Sequence, residues 1–143
     1  MTTVVLDASV AAKWALPGAT EPLLTEANTV LEQYLAGRLR FLVPDIFWAE
    51  IANVLWNSVR HKKVSDSAAH LALSAMLDRS FPTAPSTGVL QDALSIALHF
   101  DRPVYDGIYV ALAVSSRTQL VTADERLANA LAAHFPIQWL GLY

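Results

Sequence analysis

The sequence is short of several things, and each shortage removes a class of protein. It has no cysteine among its 143 residues, which excludes thiolate zinc sites, iron–sulfur clusters, thiol nucleophiles and redox pairs. It has no long apolar run: the longest, Ile108 to Val114, is seven residues, against about 18 or more for a transmembrane helix. The five glycines form neither a phosphate-binding loop nor a Gly-x-Ser-x-Gly nucleophile elbow. No basic stretch precedes Val4, Val5 and Leu6, and Asp7 follows at once, so no secretory leader or membrane span is expected and the cytoplasm is the expected compartment. Charge is also scarce, at 16% of residues, with a net value of −3. That mild acidity argues at first against a nucleic-acid partner, since such proteins usually carry a basic face.

What is present is apolar, at 54% of residues. A chain this long buries about 68–70% of its unfolded surface and needs no disulfide or structural metal. No repeat, low-complexity segment or linker interrupts it, so one domain over 1–143 is expected. High apolar content beside little charge suggests that a partner or second copy covers some of the surface.

Short apolar segments alternate with helical ones. Val4–Leu6 is a β-branched run suited to a strand buried on both faces, and Ser9 is placed to cap a short helix ending before Pro17 and Gly18. Thr20, Glu21 and Pro22 predict a helix start, and Gly37 its left-handed end, giving Glu21–Ala36. Phe41–Val43 reads as a strand, Pro44–His61 and Ser65–Arg79 as helices, and Phe81–Pro85 as an edge strand whose prolines a central position would not tolerate. Helices over Thr87–His99 and Tyr105–Ser116, a strand at Gln119–Thr122, a helix over Asp124–Ala133 and a strand at Ile137–Leu140 complete the chain. The pattern predicts an α/β protein, a three-layer α/β/α sandwich around a central, mainly parallel sheet of four to five short strands.

Four carboxylates fall in apolar company: Asp7 after the first strand, Glu50 in Phe47-Trp48-Ala49-Glu50-Ile51-Ala52, Asp106 in Val104-Tyr105-Asp106-Gly107-Ile108-Tyr109, and Asp124 after Leu120-Val121-Thr122-Ala123. Desolvating an unpaired carboxylate costs several kcal/mol, so each is expected to be paired or to bind a cation, and few cationic residues lie near them in sequence. In a parallel sheet the ligand crevice lies at the carboxyl ends of the strands. Asp7 and Asp124 follow strands directly, and Glu50 and Asp106 lie near the first turns of helices. An all-carboxylate cluster without His or Cys suits a hard cation, most naturally Mg²⁺ or Mn²⁺.

The segments Asp7-Ala8-Ser9-Val10-Ala11-Ala12-Lys13-Trp14, Val43-Pro44-Asp45-Ile46-Phe47-Trp48-Ala49-Glu50-Ile51-Ala52-Asn53-Val54-Leu55, Tyr105-Asp106-Gly107-Ile108-Tyr109-Val110-Ala111-Leu112-Ala113 and Leu120-Val121-Thr122-Ala123-Asp124-Glu125-Arg126-Leu127 resemble, in order and over nearly the whole chain, the four motifs of PIN-domain ribonucleases, in particular VapC toxins of toxin–antitoxin pairs. The resemblance implies a PIN-like fold and a Mg²⁺-dependent endoribonuclease. Asp7, Asp106 and Asp124 would hold one or two metal ions, Glu50 would complete the shell or orient the attacking water, and Ser9 and Thr122 would be hydroxyl neighbours. It also implies a VapB-like antitoxin as partner, a homodimer or a tetramer or octamer with that antitoxin, and DNA contact only through it. An antitoxin arginine reaching the acids is a further expectation by resemblance. The leucine-, isoleucine-, valine- and tryptophan-rich helices at Glu21–Ala36 and Pro44–His61 suggest the groove for an antitoxin's amphipathic helix. Gly107 departs from the alanine that many relatives carry; it predicts a helix start looser by about 0.5–1 kcal/mol but removes no ligand.

Plainer readings stand beside these. Asp7 and Asp124 also suit helix caps. Arg60-His61-Lys62-Lys63 suits a solvated helix end as well as an RNA-phosphate contact, and Lys13 beside Trp14 lies nearer Asp7. His61, His70, His99 and His134 have no ligand spacing, and Trp14, Trp48 and Trp56 read as packing. The alternative to an enzyme is a non-catalytic PIN-fold protein that binds RNA or a partner. A receiver-like phosphoacceptor is weaker still, lacking paired acids beside the first strand. Removing the four site carboxylates from the net charge of −3 leaves +1 for the rest, so the acidity is concentrated where metal would sit and does not oppose an RNA substrate.

Overall fold

A computed structural model describes residues 1–16 and 22–143. The elements are β1 (Thr2–Leu6), α1 (Ala8–Ala15), α2 (Leu24–Leu35), β2 (Leu39–Pro44), α3 (Ile46–Arg60), α4 (Asp66–Asp78), β3 (Thr83–Ala84), α5 (Leu90–Phe100), α6 (Val104–Ser115), β4 (Leu120–Thr122), α7 (Glu125–Leu131) and β5 (Ile137–Trp139), with 3₁₀ turns at Ser86–Gly88 and Leu140–Leu142. The five strands are all parallel, in the order β3-β2-β1-β4-β5. This is the expected three-layer sandwich, and its strand residues show why. Successive side chains of a strand point to opposite faces. Val4, Leu6, Phe41, Val43 and Val121 join one core with Val10, Ala27, Phe47, Ile51 and Met76 from α1 to α4. Val5, Leu120 and the half-buried Leu42 join another with Val110, Leu112, Leu127 and Leu131 from α6 and α7. Burying such a side chain fully contributes about 1.5–3 kcal/mol, so a one-residue slip of β1 would exchange both cores at once.

Element ends follow local chemistry. Ser65 caps α4 by accepting the Ala68 N–H at 3.1 Å, and Gly37 closes α2 at φ 76°, both as expected. The expected start of α2 at Thr20 and Glu21 lies outside the described residues. Leu23 has φ 61°, a left-handed conformation that keeps it out of the helix, so α2 begins at Leu24. The predicted edge strand shortens to Thr83–Ala84 between Pro82 and Pro85, neither of which can donate to a ladder; Pro82 still accepts the Val43 N–H at 3.0 Å. The helix expected from Thr87 begins at Leu90, after a 3₁₀ turn. Ser9 does not cap α1: the N-cap position belongs to Asp7, which makes no side-chain cap bond.

Two features bear on surfaces. The apolar groove expected between the second and third helical segments lies instead between α3 and α4, where Ala52, Leu55, Trp56, Val59, Ala69 and Leu73 line about 380 Å³. Trp56 remains 55% exposed there, with the Arg60 guanidinium 5.3 Å from its ring. Trp14 and Trp48 pack as expected, stacking on Phe41 and Phe81 respectively. Among the described residues no helix is long and apolar enough to cross a membrane.

Candidate active site

The order in which strands are added to the sheet reverses between β1 and β4, the crevice position favoured for ligands in open parallel sheets. Asp7 leaves β1 at that point, and Asp124 follows β4 after one further residue. Glu50 comes in from the second turn of α3 and Asp106 from the first turn of α6. All four carboxylates line a single depression of about 260 Å³ with Ala8, Ser9, Asn53 and Val54. The residues expected to converge do so, although 117 positions separate Asp7 from Asp124.

The strand-end half is held by paired hydroxyls. Ser9 Oγ donates to Asp7 Oδ2 at 2.9 Å and accepts the Ala123 N–H at 3.0 Å. Thr122 Oγ1 donates to the same oxygen at 2.6 Å and accepts the Asp124 N–H at 3.0 Å. Each hydroxyl thus joins the carboxylate to a backbone amide of the β4–α7 turn. Thr122 is fully buried and Asp7 only 8% exposed. Burial raises the Asp7 pKa, against the lowering effect of the two hydroxyls, and the nearby Asp106 charge adds to the rise. Asp124 uses Oδ1 to accept the Leu127 N–H at 3.1 Å. The plain reading of Asp124 as a helix cap therefore describes one of its oxygens and leaves it on the depression's wall, whereas the same reading fails for Asp7.

The helical half is held by side chains that sequence reasoning did not assign. Tyr109, nearly buried at 2% exposure, donates its hydroxyl to Glu50 Oε1 at 2.8 Å. Burial pushes the Glu50 pKa up to about 7; the Tyr109 hydroxyl opposes the shift, and Asp7 and Asp106 reinforce it. The Tyr109 pKa rises as well, through burial and the adjoining acids. Arg102 donates to Asp106 Oδ2 from Nε at 3.2 Å and Nη2 at 3.0 Å. Burial raises the Asp106 pKa, Arg102 lowers it, and Asp124 raises it further. Arg102 is one of the few cations expected near these acids, and it pairs with Asp106. The i, i+4 spacing to Asp106 was the available signal.

Gly107 also changes its meaning. A Cβ built on it would stand 2.4 Å from the Ala93 carbonyl oxygen, so the missing side chain lets α5 lie against the start of α6. The expected looseness does not arise, because tight interhelical contact closes over the site where a side chain would be.

The donor set suits a hard divalent ion. It is all oxygen, comes from four segments, and has three members whose anionic forms are disfavoured by burial and by one another. Among the described residues no three acidic or histidine side chains form a ready-made cation shell. Asp7, Glu50 and Asp106 each commit one oxygen, Oδ2, Oε1 and Oδ2 respectively, to protein donors, so a metal meets the other oxygen of each or takes over the bonded one.

The family profile described as "PIN domain" matches residues 4–131. Ribonuclease VapC3 of Pyrobaculum aerophilum is 31% identical over 132 residues, covering 91% of this chain and 95% of that protein. The crystal structure of PAE2754 from the same organism superposes with a TM-score of 0.68 at 25% identity, covering 99% of this chain and 85% of that one. VapBC2 from Rickettsia felis, solved bound to a DNA fragment from its promoter, has a chain that superposes with a TM-score of 0.64 at 13% identity, with 97% and 98% covered. At that identity the likeness is one of fold.

Proposed function

The chain belongs to the PIN-domain family, with a VapC ribonuclease as a relative over almost its full length, and from that premise we propose that it is a Mg²⁺-dependent endoribonuclease, the toxin of a toxin–antitoxin pair, in a single domain over 1–143. The observation that carries this reading is the meeting of Asp7, Glu50, Asp106 and Asp124 in one depression. Asp7, Asp106 and Asp124 are the residues to hold Mg²⁺, or Mn²⁺, directly or through water, and Glu50 the one to complete the shell or orient the attacking water. A bound divalent ion supplies an activated water and neutralises the charge that builds on the phosphate and the leaving oxygen. The chain's own part is to hold the acids in place. Ser9 and Thr122 lock the Asp7 carboxylate, while Tyr109 orients Glu50.

Relatives that occur in toxin–antitoxin complexes support an antitoxin partner, and the apolar α3–α4 groove suits its amphipathic helix. DNA contact would come through that partner. A homodimer, or a larger assembly with the antitoxin, would add to the chain's few basic groups, and the cytoplasm is the proposed compartment. The test is cleavage of labelled RNA with Mg²⁺ and again after a chelator, for the natural chain and for Asp7→Asn. The expected result is cleavage that the chelator stops and the variant lacks. Undiminished cleavage by Asp7→Asn would overturn the site assignment.

A further inference from the structure

We propose that Arg102 is an intramolecular latch on the metal site: its guanidinium holds Asp106 Oδ2 while no cation is bound and gives that oxygen up, driven by charge repulsion, when Asp106 becomes a metal ligand. This rests on the acidic depression being a divalent-ion site, as argued above. Two N–H groups of Arg102 converge on one Asp106 oxygen, and the two side chains are 22% and 23% exposed, sheltered enough to be specific and open enough to separate. The latch is positioned by local backbone. Asp101 takes a left-handed conformation at φ 55° after α5, the Arg102 N–H then bonds Ala97 O at 3.1 Å, and Pro103 opens α6. The tight α5–α6 turn thereby brings the guanidinium back over the first turn of α6.

As a helix-stabilising device the pair is poorly arranged. A base preceding its acid by four residues is the weaker order, and a cation beside the start of α6 opposes that helix's dipole. It does supply a counter-charge to Asp106, which burial and Asp124 otherwise push towards protonation. A dication on the same carboxylate would face the guanidinium at close range, and two positive groups sharing one carboxylate repel each other. The contact therefore keeps the metal-free site compact and sets a threshold that the cation has to exceed.

The test combines Mn²⁺ titrations, read by paramagnetic resonance of the free ion, with an NMR titration using Mg²⁺. Arg102→Gln should bind Mn²⁺ about two- to fivefold more tightly than the natural chain, the scale of losing one competing, partly exposed ion pair. In the natural chain the Arg102 Nε–H signal, slow to exchange with solvent while paired, should move to the position and exchange rate of a free guanidinium as Mg²⁺ saturates. That second readout separates a latch from general charge repulsion, which would alter affinity without breaking the pair. Equal or weaker Mn²⁺ binding by Arg102→Gln, or a paired Arg102 signal at saturating Mg²⁺, overturns the latch and leaves the metal site standing. Absence of Mn²⁺ binding by both proteins overturns the metal site and the latch with it.

Discussion

Asp7 and Asp124 leave adjacent strands of the sheet, whereas Glu50 and Asp106 stand on helices on either side of it, and the two pairs are kept in place by different means. At the strand ends, Ser9 and Thr122 connect Asp7 to backbone amides of the next turn, so the position of that carboxylate is as fixed as the β1–β4 ladder. On the helical side, each acid has one side-chain partner, Tyr109 or Arg102, and its position depends on how α3, α5 and α6 pack. One half is preorganised by backbone; the other is adjustable by exchange of side chains. An acidic site that must collect a cation benefits from both, since a rigid anchor lowers the ordering cost and movable ligands let the ion enter.

The largest effect is expected at the anchor. Asp7→Asn should lower RNA cleavage by roughly a thousandfold or more, the scale of losing a transition-state electrostatic group. Its melting temperature without metal should stay level or rise, because the amide oxygen can still accept from Ser9 and Thr122 and a disfavoured buried charge is gone. A variant that loses activity by unfolding would contradict the proposed division of roles. Thr122→Val comes next. It strips a donor from Asp7 and an acceptor from the Asp124 amide in a fully buried place, which should cost about 2–3 kcal/mol in denaturant unfolding and lower cleavage by about 10–100-fold through a displaced ligand. Unchanged stability in Thr122→Val would mean that the strand-end half is not held by these hydroxyls.

Legibility from sequence divides along the same line. Asp7 and Asp124 could be read because a carboxylate directly after a short β-branched strand is placed by the chain itself, and Glu50 and Asp106 because acids among apolar residues require compensation. The compensating partners were harder to find. Tyr109 lies 59 positions from Glu50 and its phenol is indistinguishable in sequence from core packing. Ser9 looks like a helix cap until the β4–α7 turn, 114 positions away, is brought beside it. Gly107 reads as a weak helix residue because the constraint on it, the Ala93 carbonyl of α5, is a matter of interhelical distance. The α3–α4 groove was missed for a related reason: apolar content shows which helices are buried, not which neighbours leave a gap between them.

A smaller effect tests whether the helical half depends on packing. Gly107→Ala places a methyl against the Ala93 backbone oxygen, which can move only by shifting α5, at a cost of about 1–3 kcal/mol. Because Asp106 precedes it, cleavage and metal affinity should fall together in this variant while the Asp7 network persists. A Gly107→Ala protein of full stability would show α5 and α6 to be loosely packed here.

The mildest test uses pH. Glu50 titrates near 7 in the fold against 4.5 in an unfolded chain, so between those values the folded protein holds the additional proton. Stability must then fall as pH rises through that window and level off above it, since the unfolded chain binds fewer protons there. Asp7 and Asp106, also raised, act in the same direction. Thermal melts in chelator from about pH 5 to about pH 8 should show this decline, and Glu50→Gln should make it shallower. Saturating Mg²⁺ should flatten the slope, because a cation favours the ionised carboxylates in the fold and so releases the additional protons. A decline as steep in Glu50→Gln as in the natural chain would shift the source of the pH dependence from Glu50 to the other two raised acids, Asp7 at the strand end and Asp106 on the helical side.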